Sequence, residues 1–279
     1  MIYIIVVLLL LWYVCDLYID NTDMVVSTID GIAYPVEKYK NNQEASNILD
    51  MNRESPNQGG TVLQPQAGLH EHVLVFDFKS LHPTIMRTFK IDPLSRLLAN
   101  EDPIKTPAGI TFSSSNHVLP KRLEELMSKR EEAEEEGNQP LSKAIKILMN
   151  SFYGVMGSTN SRFYHADLPQ AISGIGRWVL EEAICFIKNQ GYEVIYGDTD
   201  SVFISLKAGL WGNINQLGNQ LVEKVNAHLK KKIKKDFKVD SLLDLKFEKY
   251  YRKLYLPKAR NGGGEGAKKR YAGLLIRDG

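Results

Sequence analysis

The sequence predicts an α+β fold: an antiparallel sheet with packed helices, plus a helical hairpin. Three observations predict it. Apolar runs of strand length end in turn residues at 73–77 and around 194–203, as strands joined by tight turns do. Longer stretches, 119–136, 142–154 and 167–190, repeat their apolar residues at helical spacing. Between the first two, Gly137-Asn138-Gln139-Pro140 is a strong break, so that pair reads as an antiparallel helical hairpin.

A chain of 279 residues can bury a sizeable core and form one or two domains. Its composition is that of an ordinary globular protein. The net charge of +2 hides an asymmetry: residues 224–260 hold thirteen Lys/Arg against four Asp/Glu, and Lys268, Lys269 and Arg270 add three more cations. The run Glu131, Glu132, Glu134, Glu135, Glu136 is acidic. Only the C-terminal third thus carries a footprint suited to phosphate backbones. Cys15 and Cys185 make neither a disulfide framework nor a zinc pattern, which fits a reducing, intracellular setting.

Taken in order, residues 1–15 are continuously apolar or aromatic, with Asp16 the first charge. The stretch is shorter than the roughly 18 apolar residues of a membrane-spanning helix, and it lacks the positive flank and cleavage site of a signal peptide. A buried strand or helix, or a start set by where the reading frame begins, is favoured over a membrane anchor. Residues 21–60 are polar and poorly patterned, and Asn41–Gln58 reads as a linker. Val73-Leu74-Val75-Phe76 is a strand ending at Asp77, followed by a Ser80/Pro83-punctuated bend. Residues 92–119 carry many breakers and read as a loop-rich insertion. The helical hairpin follows, with Leu123, Leu126 and Met127 on one face of its first helix. Residues 215–236 read as a lysine-heavy amphipathic helix, and 242–256 as strands with Leu245, Phe247 and Tyr251 facing one way.

The hairpin around Gly197-Asp198-Thr199-Asp200-Ser201 carries two carboxylates at its tip. Two anions about 4 Å apart repel by roughly 4 kcal/mol at an effective dielectric of about 20. Such a tip is tolerable in water and useful beneath a divalent cation. Asp77, at the end of another strand, is a third candidate ligand, and only a fold can bring it to the tip. Hard cations such as Mg²⁺ take a few carboxylates and leave other positions to water and phosphate, as a two-metal phosphoryl-transfer site requires. The competing reading is a solvated Asp-rich turn. In the second helix of the pair, Lys146, Asn150 and Tyr153 stand at i, i+4 and i+7 on one face, and Ile145, Leu148, Met149 and Phe152 cover another. The stripe suits a triphosphate and a base, and it also suits an ordinary solvated helix face.

Asp77-x-x-Ser80-Leu81-x-Pro83, Lys146-x-x-x-Asn150-Ser151-x-Tyr153-Gly154 and Tyr196-Gly197-Asp198-Thr199-Asp200-Ser201 resemble, in order, the three polymerase motifs of family B DNA polymerases. Lys268-Lys269-Arg270-Tyr271-Ala272-Gly273 resembles that family's basic duplex-contacting motif. Arg87-Thr88-Phe89 and Ile91-Asp92-Pro93 are most similar to the bacterial polymerase II branch. Residues 59–278 carry the resemblance.

The resemblance implies a polymerase palm at 59–119 and 158–279, with fingers at 120–157 and an N-terminal apolar segment and polar linker, 1–58, in front. It implies that the family's exonuclease and thumb are absent from these 279 residues. By the same resemblance Asp77, Asp198 and Asp200 are catalytic, and Asp77, Asp200 and the carbonyl of Phe78 hold two Mg²⁺ ions. Ser80, Leu81, His82, Arg130, Lys146, Asn150 and Tyr153 bind the incoming dNTP. Gly154, Thr199, Lys268, Lys269, Arg270 and Tyr271 contact primer–template DNA. Further implied partners are another chain supplying exonuclease and thumb, or a processivity factor; a membrane is not among them. The implied location is cytoplasmic, at the nucleoid in a bacterium.

Two positions depart from the family pattern. The family usually has tyrosine where this chain has His82, and lysine where it has Glu134. Glu248 resembles a palm glutamate near the active site, and equally an edge-strand charge paired with a lysine. Three functions compete: a DNA-directed DNA polymerase, a catalytically inactive nucleic-acid-binding remnant of one, and a membrane-tethered protein.

Overall fold

The computed structural model describes residues 26–29, 32–35, 63–100, 102–158, 161, 163–207, 213–259 and 266–276. The apolar stretch 1–15 and the linker 41–58 lie outside these. Strands β1 (Val26–Ile29) and β2 (Ile32–Pro35) pair antiparallel within a region whose composition suggested no pattern. The signal there was Asp30-Gly31, a dipeptide that favours two-residue hairpin turns. The chain divides into two compact units.

One unit comprises residues 59–81 and 173–279. Its sheet has five antiparallel strands: β3 (Gly68–Phe78), β6 (Glu193–Asp198), β7 (Ser201–Ser205), β8 (Leu245–Leu256) and β9 (Ala272–Ile276), in the order β6-β7-β3-β8-β9. β3 is central. Val73, Leu74, Val75 and Phe76 are at most 3% exposed, so both faces of the strand are covered, which explains a continuous apolar run in place of alternation. On one face Val73, Val75, Ile195, Tyr196, Phe203, Leu254 and Leu256 form a core cluster, with Tyr251 packed against it. The lysine-rich helix Ile214–Phe237 packs on β8, where Phe247 lies so close to Gly218 that a Cβ there would come within 2.9 Å of its ring. Asn226 of that helix brackets Leu245: its amide donates to the carbonyl and its oxygen accepts the N–H, each at 2.9 Å.

Predicted strands at 242–256 resolve into one twelve-residue strand. Its pairing with β3 shifts register between Val75 and Phe76, leaving Glu248 opposite no single partner, the geometry of a β-bulge. Leu254 and Leu256 are fully buried and Tyr251 only partly, so the buried face changes parity along the strand.

The other described unit comprises residues 82–172 with β1 and β2. Helix α1 (Leu81–Phe89) leads to the five-residue α2 (Pro93–Leu97) and the short hairpin of β4 (Pro103–Lys105) and β5 (Thr111–Ser113). The expected loop-rich insertion therefore holds regular elements, too short to register in a periodicity window. Next come α3 (Leu119–Glu135) and α4 (Gln139–Met156). Between them Gly137 adopts φ +72 and Asn138 caps α4 by accepting from Leu141 N–H. Leu123, Leu126 and Ala133 bury on α3, and Ile145, Met149, Phe152 and Met156 on α4, with Leu148 half-buried. Helix α5 (Asp167–Asn189) begins in this unit and continues into the other, and the lysine-rich helix is α6.

Asp92 organises this unit. It is fully buried, and its carboxylate accepts from Ser95 N–H at 2.6 Å, Val118 N–H at 2.6 Å and Leu119 N–H at 3.0 Å. One side chain thus caps both α2 and α3, whose own N-cap residue, Val118, offers no side-chain bond. Replacing it strands three buried donors. Urea denaturation of Asp92→Ala is expected to show a loss of about 2–4 kcal/mol; a loss below about 1 kcal/mol would show that the caps are dispensable.

Candidate active site

The acidic hairpin is built by β6 and β7. Their last pair is Asp198 opposite Ser201, leaving Thr199 and Asp200 as a two-residue loop. Asp200 N–H donates to the Asp198 carbonyl at 2.6 Å and Ser201 Oγ to the same oxygen at 3.2 Å. Thr199 sits at φ 55, a left-handed conformation in which a β-branched residue is an outlier. Strain of this kind persists where surrounding structure over-determines it.

Asp77 arrives through the sheet. β3 pairs with β7 so that Asp77 stands opposite Ser201, and cross-strand neighbours lie about 4.5–5.5 Å apart at Cα. Phe78 N–H then donates to the Asp200 carbonyl at 2.9 Å. Asp77, Asp198 and Asp200 therefore converge on one end of the sheet, all half-buried. Ser80 follows at φ 50 and turns the chain into α1. Among the described residues no group of three or more His, Cys, Asp and Glu side chains is arranged around a common metal position.

Asp198 is engaged by its own neighbours. Thr199 Oγ1 donates to Oδ1 at 3.0 Å, Tyr196 OH to Oδ2 at 3.3 Å, and Lys269 Nζ lies 3.1 Å from Oδ1. The backbone N–H of Lys269, itself at φ 58, donates to Tyr196 OH at 2.9 Å. Burial pushes the Tyr196 phenol above its usual range, and the Lys269 N–H opposes this, so the phenol stays protonated and able to donate. Lys268, Lys269 and Arg270 are exposed, and Tyr271 docks its ring edge-on to Phe203 and Tyr251. The basic motif is thus anchored to the acidic hairpin by a lysine head group, a backbone bond and an aromatic cluster. Sequence reading gave Lys269 a place on DNA and Tyr196 no role; no local signal marks their meeting with Asp198. Glu248 pairs with Lys249 at 2.8 Å, the bland alternative for that residue.

The nucleotide candidates, apart from Ser80 and Leu81, stand in the other unit. His82 and Tyr153 are ring neighbours, with centroids 4.5 Å apart. Burial lowers the pKa of His82, so the imidazole is neutral at pH 7. Lys146 and Asn150 are exposed on α4, and Tyr153 is half-buried. Gly154 is exposed and a Cβ there would meet nothing, so packing gives no reason for glycine. Arg130 is paired with Glu134 at 2.8 Å and bonded through Nε to Ser142 Oγ at 3.3 Å. Sequence reading noticed Glu134 and missed Ser142.

A Cβ at Gly273 would fall 2.6 Å from Tyr251 Cδ1 and 3.0 Å from the Lys253 carbonyl. Gly273→Ala is therefore expected to cost about 1–3 kcal/mol in urea denaturation, by displacing the tyrosine on which Tyr271 rests. An unchanged midpoint would mean that β9 adjusts freely.

A sequence model of the family described as DNA polymerase family B matches residues 22–278. DNA polymerase II of Escherichia coli is 41% identical over 223 residues, 78% of this chain and 28% of that protein. The DNA polymerase of Archaeoglobus fulgidus is 32% identical over 231 residues, 78% of this chain and 26% of that protein. The solved family B DNA polymerase from the hyperthermophilic archaeon Pyrobaculum calidifontis superposes with a TM-score of 0.55 at 27% identity, covering 79% of this chain and 28% of the other. The chain thus spans less than a third of each of these relatives. With a family match across nearly its whole length, and with Asp77 paired beside the Asp198–Asp200 turn, this chain belongs to DNA polymerase family B.

Proposed function

We propose that the chain is the palm and fingers portion of a DNA-directed DNA polymerase, transferring a nucleotide from a dNTP to a primer 3′-hydroxyl. The observation that carries the reading is the strand register that sets Asp77 opposite Ser201, one residue from Asp200. The donors there are hard oxygens, the Asp77 and Asp200 carboxylates and the Phe78 carbonyl. Magnesium binds through one or two carboxylates and completes its shell with water and substrate phosphates, so this donor set fits two such ions. When bound, they acidify the 3′-hydroxyl and neutralise charge on the triphosphate and departing pyrophosphate.

The residues of the chain supply the rest. The 3′-oxygen forms its bond to the α-phosphorus as the bond to pyrophosphate breaks. Arg130, Lys146 and Asn150 orient the phosphates, and Tyr153 packs on the nascent base pair; Ser80 and Leu81 are the nucleotide-binding residues proposed for the sheet unit. Asp198 stands beside the metal ligands and ties Lys269 to the tip. Gly154, Thr199, Lys268, Lys269, Arg270 and Tyr271 hold the primer–template through its backbone, a sequence-independent grip that weakens with salt.

Primer extension with Mg²⁺ tests the reading. Asp200→Ala is expected to slow extension roughly 10²- to 10³-fold with little change in unfolding midpoint. Duplex binding without extension by either protein would replace the polymerase with a catalytically inactive remnant. His82 is smaller than the tyrosine usual in the family, so it excludes a ribose 2′-hydroxyl less strictly. His82→Tyr is expected to raise the dNTP-over-NTP ratio of kcat/KM by about tenfold; equal ratios would sink the assignment of His82 to sugar selection.

A further inference from the structure

We propose that Glu134 sets the nucleotide affinity of this protein by competing with the triphosphate for Arg130, an inference that rests on the polymerase reading of the same residues. Arg130 and Glu134 stand one turn apart on α3, with Nη2 to Oε1 at 2.8 Å. Ser142 of α4, only 5% exposed, closes the arrangement. Its hydroxyl donates to Glu134 Oε1 at 2.9 Å and accepts from Arg130 Nε at 3.3 Å. One proton and one lone pair of the serine are thus used in a consistent direction around a three-membered cycle.

The atoms involved matter more than the contact itself. Nε and Nη2 form one edge of the guanidinium fork, the geometry with which arginine grips a phosphate through two parallel bonds. In this structure that edge is taken, Nε by the serine and Nη2 by the glutamate. The Arg130 side chain is 15% exposed and that of Glu134 37%, so the pair is partly buried on the arginine side and is screened less than a fully exposed one. A triphosphate that takes this edge must displace the Glu134 carboxylate and the serine hydroxyl, and one that does not take it forgoes the two parallel bonds. Both options cost affinity. The rest of the acidic run, Glu131, Glu132, Glu135 and Glu136, is exposed. Glu134 acts as a positioning residue: it touches no substrate and works through the arginine.

Glutamine at 134 keeps the size of the side chain and can still accept from Ser142 while losing the charge. The test is a titration of a fluorescent dATP analogue, read by anisotropy with primer–template and Mg²⁺ present. It compares wild type, Glu134→Gln, Arg130→Ala and the double variant, with steady-state extension run in parallel. Glu134→Gln is expected to tighten binding roughly two- to fivefold, the worth of one such ion pair, and to lower KM with kcat little changed. In the Arg130→Ala background the same substitution is expected to do nothing. Unchanged or weaker binding by Glu134→Gln overturns the proposal, and so does equal tightening without Arg130, which would indicate bulk charge. Tightening through Arg130 without any extension leaves the competition standing and removes the polymerase reading. No nucleotide binding by any of the four proteins removes both.

Discussion

The position of β3 between β7 and β8 is the constraint on which the site depends. A strand hydrogen-bonded on both sides has no freedom to slide, and a slip of one residue would turn every buried side chain of Val73–Phe76 to the wrong face. Burial of those four residues therefore fixes where Asp77 ends up. The carboxylate is held beside the hairpin tip by apolar packing several residues away. The bulge at Glu248 belongs to the same arrangement, because it changes the register of β8 against β3 next to this end of the sheet.

Charge at the tip is managed by neighbours. Asp198 is satisfied by a hydroxyl, a phenol and an ammonium group, which relieves the repulsion that two aspartates on one turn would otherwise feel. The ammonium comes from the basic motif far along the chain, so that relief also fastens the motif to the sheet. Ser80, Thr199 and Lys269 all take left-handed backbone conformations; Thr199 and Lys269 bond to Asp198 and Tyr196, and Ser80 follows the end of the strand that carries Asp77. Such conformations cost of order 1–3 kcal/mol each, and they are held here by the sheet and by the bonds around Asp198.

The helical unit is organised by different means. A buried Asp92 joins the starts of α2 and α3, and the α3–α4 hairpin presents Lys146 and Asn150 to solvent. Arg130, by contrast, is bonded inside the hairpin to Glu134 and Ser142. Polar side chains of one hairpin thus differ in engagement, two exposed and one bonded to its neighbours.

Local pattern alone determined the α+β class, the hairpin of α3 and α4, the strand ending at Asp77 and the acidic turn, because period, turn residues and helix caps act over a few positions. It also singled out candidate side chains for chemistry, since the motif spacings are local. It missed β1 and β2, and the short elements within 92–119, because three- to five-residue elements give too few repeats for a period to emerge. Only the tertiary structure decided that Asp77 faces Ser201, that Lys269 meets Asp198 beside Tyr196, that Asp92 caps two helices and that Ser142 closes the Arg130–Glu134 pair. Each of these joins residues brought together by core packing and strand register, which are set by the chain as a whole and leave no mark in any one window of it.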